Sequence, residues 1–461
     1  MMQAMEAAFS AFAGFMWGTP LVILLVGGGL FFVMYSRGLP YLHFRHAIDI
    51  LRGKYDRDDD EGHIPHFQAL STALSGTLGL GNIAGVAIAI TMGGPGAIFW
   101  MWVTALVGVA TKYYTCSLAI MYRGRDSLGQ LQGGPMYVIR EGLGKRWMPL
   151  AMLFAVAGVF GTLPVFQVNQ LVQILRDVVA VPAGLATPDA HFTFDLVLGL
   201  VISALVLAVI LGNIQRVGRV TAKLVPFMVV LYLIMTVLVL AIHVGDIPAA
   251  FALILTDAFT GEAAASGVLI TVILIGVRRG AFSNEAGIGT ESMAHGAART
   301  NEPIREGLVA MIGPVVDTLI VCTCTALVIL VTGVWHGDAD GVTLTAQAFE
   351  SVLPGFGAYL LTLMVLFLSL STVFTFWYYG SKCLGFLIGA EHQHYYVWVY
   401  SLLVILGAIA SLDAVIGLID GMYAVMAIPT MVSTLLLARK VNEATARYFR
   451  THPGEPQRGW D

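Results

Sequence analysis

The run SGTLGLGNIAGVA at residues 75–87 sets Ser75, Thr77 and Asn82 among Gly76, Gly79, Gly81 and Gly85. Each glycine costs a helix roughly 1 kcal/mol relative to alanine, so the run favours unwinding. Unwinding frees peptide groups for chemistry. N–H groups at a half-helix N-terminus, near Gly79 to Asn82, can hold a carboxylate. Exposed carbonyls and hydroxyls can hold an ammonium and a hard cation. A plainer reading is open too: Gly81 and Gly85 form a GxxxG spacing that suits close helix packing. That reading leaves the accompanying Ser75, Thr77 and Asn82 without a role. A second run, GVRRGAFSNEAGIG at 276–289, brings Arg278, Arg279 and Glu285 into another apolar stretch. Charges there are expensive and point either to function or to an ion pair between an arginine and Glu285. Both runs contain Asn-x-Ala-Gly, in GNIAG at 81–85 and SNEAG at 283–287. A third run, FLSLSTVFTFWYYG at 367–380, sets the hydroxyls of Ser371 and Thr372 side by side, unless they bond only to their own helix.

These groups need a membrane around them. Of 461 residues, 57% are hydrophobic and 12% charged, about half the usual share of charge, and the mean hydropathy is +0.80. A soluble surface cannot be built from so few charges, so the expectation is an all-α integral membrane protein embedded in a lipid bilayer. A net charge of −4 argues against nucleic acid as a partner. Cys116, Cys322, Cys324 and Cys383 fall in apolar stretches without a CxxC and read as packing residues. His43 with His46, and His392 with His394, lack the further ligands a metal site needs. Apolar runs long enough to cross a bilayer number about eleven: 15–36, 66–92, 96–122, 148–180, 193–213, 217–244, 264–297, 306–334, 355–385, 396–411 and 414–438. The first lacks the basic leader of a signal peptide, since no Lys or Arg precedes Arg37, and reads as a retained helix.

Basic residues set the orientation. Arg37, Arg45, Arg52, Lys54 and Arg57 follow span 1; Arg123, Arg125, Arg140, Lys145 and Arg146 follow span 3. Arg216, Arg219 and Lys223 follow span 5, and Arg439, Lys440, Arg447, Arg450 and Arg458 follow span 11. Loops 245–262 and 335–353 carry no Lys or Arg, and Arg176 is the exception on their side. The expected N-terminus is therefore outside and the C-terminus cytoplasmic. Residues 41–55 read as an interfacial helix, with Leu42, Ile48, Leu51 and Tyr55 on its apolar side. The acidic stretch Asp56–Glu61 reads as a solvated loop.

Span 7 is the fifth after span 2, and five is odd, so spans 2–6 and 7–11 enter the membrane in opposite senses. An inverted repeat with an interrupted helix opening each half points to a secondary transporter with its site at the midplane. The expected organisation is an accessory span and interfacial helix over 1–62, five-helix repeats over 63–262 and 263–440, and a tail over 441–461.

The stretch GGPGAIFWMWVTALVG at 93–108 resembles the signature of the alanine or glycine:cation symporters, the sodium:alanine symporter family. The resemblance extends through SGTLGLGNIAGVA, GAFSNEAGIG and the WYYG of span 9, over nearly the whole chain. It implies a sodium-driven carrier of small neutral amino acids, chiefly alanine and glycine, in a cell (inner) membrane. The implied fold is a five-plus-five inverted-repeat core similar to the neurotransmitter:sodium symporters, with discontinuous helices in spans 2 and 7. Substrate contacts implied by the resemblance are Thr77, Gly79, Gly81 and Asn82, then Phe282 and Ser283, with Gln167 (Asn169 two residues on) and with Trp377 capping the side-chain pocket. The coupling ion, sodium, is implied between Ser75, Gly76 and the Leu78 carbonyl on one side and Ser371 with Thr372 on the other. A further cation site near Thr77 and Asn82 is a weaker implication. The chain departs from the family's pattern at Leu80, where a threonine is usual, and before Gln167, where a Gly-Asn pair is usual and the chain reads Gly161-Thr162-Leu163-Pro164-Val165-Phe166.

Proton coupling is the rival, with Glu285 and Asp317 as its titratable candidates, whereas the first run offers only neutral oxygens. An enzyme is not expected: no nucleophile–base pair, His-rich metal spacing or phosphate loop is visible. No obligatory protein partner is expected either.

Overall fold

The computed structural model describes residues 2–57, 59–187, 190–260, 268–409 and 413–451. Its helices are α1 (Met2–Met16), α2 (Thr19–Tyr35), α3 (Phe44–Leu51), α4 (His66–Thr77), α5 (Ala84–Gly93), α6 (Ala97–Met121), α7 (Lys145–Ala180), α8 (Phe192–Ile210) and α9 (Asn213–Ile242). They continue with α10 (Ile247–Thr260), α11 (Val268–Asn284), α12 (Thr290–His295), α13 (Pro303–Thr332), α14 (Gly341–Val352), α15 (Gly357–Ile388), α16 (Gln393–Ile409) and α17 (Asp413–Thr451). Helix thus falls in each of the eleven apolar stretches. Among the described residues seven helices are long and apolar enough to cross a membrane, and nine when two bent pairs count as one crossing each. Residues 264–267 and 410–411 of the expected spans 7 and 10 lie outside the described residues. α11 and α16 are each 17 residues long as described.

Burial separates an inner from an outer layer. α6 buries 83% of its apolar window, whereas α8 and α9 each bury 33% and turn Val201, Leu205, Phe227 and Ile234 outward. That outward apolar surface suits contact with lipid tails. α4 packs against α9, α12 and α15, and α5 against α11 and α14, so both halves of the first broken helix sit in the inner layer. α6 runs beside α11 and α13.

Three local expectations are corrected. Arg278 pairs with Asp420 of α17, not with Glu285. Trp17, at the 43° bend between α1 and α2, donates its indole N–H to the Asp420 carbonyl at 2.8 Å and lies 5.8 Å from the Arg278 guanidinium. The Trp17 bond fastens the bend of the accessory helices to α17, which Arg278 ties to α11. In the interfacial segment the protein-facing side is His46, Ala47 and Ile50, while Leu42 is exposed and Ile48, Leu51 and Tyr55 are half-buried. The acidic stretch is not wholly solvated: Asp60 accepts the Asn301 N–H at 3.0 Å, and Glu61 donates its N–H to the Asn301 side chain at 3.2 Å (Asp58 lies outside the described residues). Arg176, the exception in the charge pattern, is neutralised where it stands, 2.7 Å from buried Asp195.

Breaking a buried ion pair from one side leaves an uncompensated charge, whereas replacing both partners by apolar groups of similar size costs far less. Asp420→Ala is expected to lower the thermal midpoint of the detergent-solubilised protein, corresponding to about 2–3 kcal/mol. The double variant Arg278→Met with Asp420→Leu is expected to lose less than the two single changes together, read in the same melt.

Candidate functional site

The first break follows from its glycines. α4 ends at Thr77, Leu78 and Gly79 turn the chain out of helix, a single 3-10 turn covers Leu80–Asn82, and α5 leaves at 58°. Freed groups find partners inside the protein. Asn82 reaches back so that its Oδ1 accepts the Gly79 N–H at 3.0 Å. Thr325 of α13 donates to the Asn82 carbonyl at 2.7 Å. The N–H groups of Leu80 and Gly81 open this turn, where intrahelical acceptors are missing by construction.

The second break lies at the end of its run. α11 closes at Asn284; Glu285, Gly287 and Gly289 take φ of 56°, 85° and 97°; α12 follows from Thr290. Positive φ is cheap for the glycines and strained for Glu285. Asn284 Oδ1 accepts the Ala286 N–H at 3.0 Å, and Thr430 donates to the Ile288 carbonyl at 2.8 Å. Each Asn-x-Ala-Gly thus uses its asparagine as a backbone cap, but differently: Asn82 precedes a helix and Asn284 ends one.

The two breaks meet through a residue the sequence reading considered only as a proton carrier. Asp317 sits in a π-helical turn of α13, fully buried. Its Oδ1 accepts from Asn82 Nδ2 at 2.6 Å, and its Oδ2 accepts from Ser283 Oγ at 2.8 Å and Thr318 Oγ1 at 2.7 Å. Asn82 also donates to Ser283 Oγ at 3.2 Å. Cys322 completes the contact, its Sγ 3.3 Å from Asn82 Nδ2 and 3.2 Å from Ser283 Oγ, so it does more than pack. A lone carboxylate in an apolar run was the available signal for Asp317.

Around Gly79 the predicted groups converge. A Cβ there would lie 2.7 Å from Thr372 Oγ1 and 3.6 Å from Gln167 Oε1. The Gln167 oxygen is buried with no hydrogen-bond partner, an acceptor waiting for a donor. A Cβ on Gly81 would touch Ser283 Cα at 3.4 Å and the Phe282 ring at 3.5 Å. Phe282 itself is ringed by Phe166 and Tyr423. Thr77 is buried and its hydroxyl bonds back to Leu74 of its own helix at 3.3 Å.

At the expected ion position, Thr372 donates to the Ser75 carbonyl at 2.9 Å, and Gly76 faces Thr375 and Tyr379. Ser75 Oγ lies at the Ser371 carbonyl, 3.4 Å away, and against Thr375 Oγ1. The Ser371 hydroxyl is turned elsewhere, to Leu368 at 2.9 Å and Met228. Thr375, three residues after Thr372 and on its helix face, is the hydroxyl the sequence reading passed over. The oxygens brought together here are those of Ser75, Thr372 and Thr375 with the Ser75 and Ser371 carbonyls, a set that suits a hard cation.

Two expected residues lie apart from this centre. Asn169 donates to the Gly407 carbonyl at 3.2 Å. Trp377 is buried and lines a cavity of about 550 Å³ with His63, Gln132, Tyr378, Ser381 and Lys382, on the face carrying the arginine-rich loops. Trp377 is five residues from Thr372, well round the helix, whereas Phe376 shares the Thr372 side and lies near Tyr423.

Comparison with known proteins places this geometry. The family described as "Sodium:alanine symporter family" matches residues 2–458. A sodium/alanine symporter, AgcS, of Methanococcus maripaludis is 40% identical over 449 residues, covering 96% of each chain. A transporter of Haemophilus influenzae is 39% identical over 458 residues, again 96% of each, and the amino-acid carrier protein AlsT of Bacillus subtilis is 30% identical over 94% of this chain and 91% of its own. Among solved structures, MhsT in complex with L-phenylalanine superposes with a TM-score of 0.58 at 13% identity, covering 82% of this chain and 89% of that one. The shared fold is the neurotransmitter:sodium symporter architecture.

Gly79→Ala is expected to drive the Thr372 hydroxyl off the Ser75 carbonyl and to weaken labelled-alanine binding by at least tenfold. Gly85→Ala, whose Cβ would meet only the Leu80 carbonyl at 4.0 Å, is expected to bind within about twofold of wild type, measured in the same assay.

Proposed function

Since the chain belongs to the sodium:alanine symporter family, we propose that it carries small neutral amino acids, alanine and glycine, into the cell together with sodium by alternating access. It is an amino-acid:cation symporter and not an enzyme. The observation that carries the finer reading is the junction at Gly79, where a carboxamide acceptor, a cluster of neutral oxygens and a helix start converge on one point. The amino-acid carboxylate is assigned to the N–H groups of Leu80 and Gly81. The ammonium falls to Gln167 Oε1, and the small side chain to the Phe282 side of Gly81. Thr77, Asn82 and Ser283 shape the same pocket. Trp377, turned to the cavity at the face of the basic loops, is assigned no contact with this pocket.

Sodium is assigned to Ser75, Gly76, the Leu78 carbonyl and Thr372, with Thr375 as a further oxygen and Ser371 supplying its carbonyl. The second cation position, near Thr77 and Asn82, gains a charge from Asp317. A carboxylate whose partners here are all neutral donors is the counter-ion a co-transported cation requires. The basic loops argue for a cytoplasmic C-terminus and an outside N-terminus in the cell (inner) membrane.

A zwitterion entering with one sodium carries one net charge inward, worth about 2.3 kcal/mol per 100 mV. That alone supports roughly 50-fold accumulation before any sodium gradient is counted. Proton coupling is the second reading, and buried Asp317 is the observation in its favour. Right-side-out proteoliposomes are expected to accumulate labelled alanine under an inward sodium gradient, and not when choline replaces sodium at the same pH gradient. Equal uptake in choline, driven by an inward proton gradient, would replace sodium with the proton as coupling ion.

A further inference from the structure

A second buried cluster lies at the basic face, away from the pocket. Glu306, in the first turn of α13, accepts from two imidazoles: His66 Nδ1 on one carboxylate oxygen and His295 Nδ1 on the other. All three side chains are buried, at 0%, 3% and 1% exposure. His66 opens α4, the first half of one broken helix; His295 closes α12, the second half of the other. One carboxylate therefore ties together the basic-face ends of both broken helices.

The backbone beside it is closed in the same sense. Residues Ile64 and Ala298 form a parallel bridge, with the His63 N–H on the Ala297 carbonyl at 2.9 Å and the Arg299 N–H on the Ile64 carbonyl at 2.7 Å. The two chains approach so closely that a Cβ on Gly62, at φ 144°, would lie 2.3 Å from the Ala298 carbonyl oxygen. Arg123 covers this seam, its guanidinium donating to the carbonyls of Gly296 at 2.9 Å, Glu61 at 3.1 Å and Thr300 at 2.9 Å, and to that of Ala298. His63 also lines the cavity that Trp377 lines.

We propose that Glu306 is a positioning residue of the transport cycle, the latch that holds α4 to α12 and keeps the pocket shut from the basic face until solute is released there. The proposal rests on the alternating-access reading above. Its chemistry is specific. A glutamate accepts from both Nδ1–H groups, whereas a glutamine presents an N–H to one of them. The facing histidine then has to turn its proton onto Nε2, and on His66 that atom is buried with no partner.

Cys322 is the reporter, since it touches Asn82 and Ser283 and is 1% exposed in the latched state. Inside-out membrane vesicles are treated with a small charged methanethiosulfonate, and modification at Cys322 is followed site by site by mass spectrometry. Glu306→Gln and His295→Leu are expected to speed Cys322 modification at least tenfold. His295→Asn, which keeps an N–H donor where Nδ1 stood, is expected to stay near the wild-type rate. Wild-type rates in all three variants, or His295→Asn as fast as His295→Leu, would overturn the latch. The readout needs neither sodium nor alanine, so it fails independently of the proposed cargo. Should Glu306→Gln not yield a monodisperse protein, the two His295 variants alone decide.

Discussion

A peptide group freed inside a bilayer has no water to turn to, and an unsatisfied one costs several kcal/mol. Two helix breaks at membrane depth are tolerable here because side chains replace the missing helical partners: Asn82 for Gly79, Thr325 for Asn82, Asn284 for Ala286 and Thr430 for Ile288. Asp317 then joins the two repairs, accepting at once from Asn82 in the first break and Ser283 in the second. That shared carboxylate ties the first break to the second break's Ser283. Among the described residues it is the one side chain bonded to both Asn82 and the second break's Ser283 through separate oxygens.

The two ends of the broken helices are held unequally. At the basic face, α4 and α12 share a buried carboxylate, a strand-like bridge and an arginine that satisfies four carbonyls. At the opposite end, α5 meets the chain before α14 through an exposed bond, Thr91 to Asp340 at 2.9 Å. Both ends use a carboxylate acceptor, so the difference is one of burial: the Glu306 bonds lie out of water, whereas the Thr91–Asp340 bond is exposed to it. At the basic face, α4 and α12 are thus held to one another by buried polar bonds.

Much of this was legible in the residues. Four glycines among apolar neighbours announced the first break, and the repeated Asn-x-Ala-Gly announced its counterpart. What escaped was side-chain direction and long-range pairing. One residue along a helix rotates a side chain by about 100°, which is why Ser371 turns to Met228 while Thr372 faces Ser75, and why Trp377 lies off the side that Phe376 shares with Thr372. The sequence leaves open an ion pair between an arginine and Glu285, yet the partner of Arg278 is Asp420 on α17, 142 residues on. His43 with His46, and His392 with His394, stand near enough in sequence to suggest a pair, whereas His66 and His295 meet through Glu306 after the chain has crossed and returned. Nothing local in a sequence records such encounters.

The central claim is that Asp317, by clamping Asn82 and Ser283, supplies the charge that makes amino-acid binding depend on the cation. Equilibrium binding of labelled alanine to purified protein across a series of sodium concentrations tests it, wild type against Asp317→Asn. The account requires the sodium needed for half-maximal alanine binding to rise at least tenfold in the variant, while helical content and elution stay native. An unchanged sodium dependence in a folded Asp317→Asn protein would contradict it.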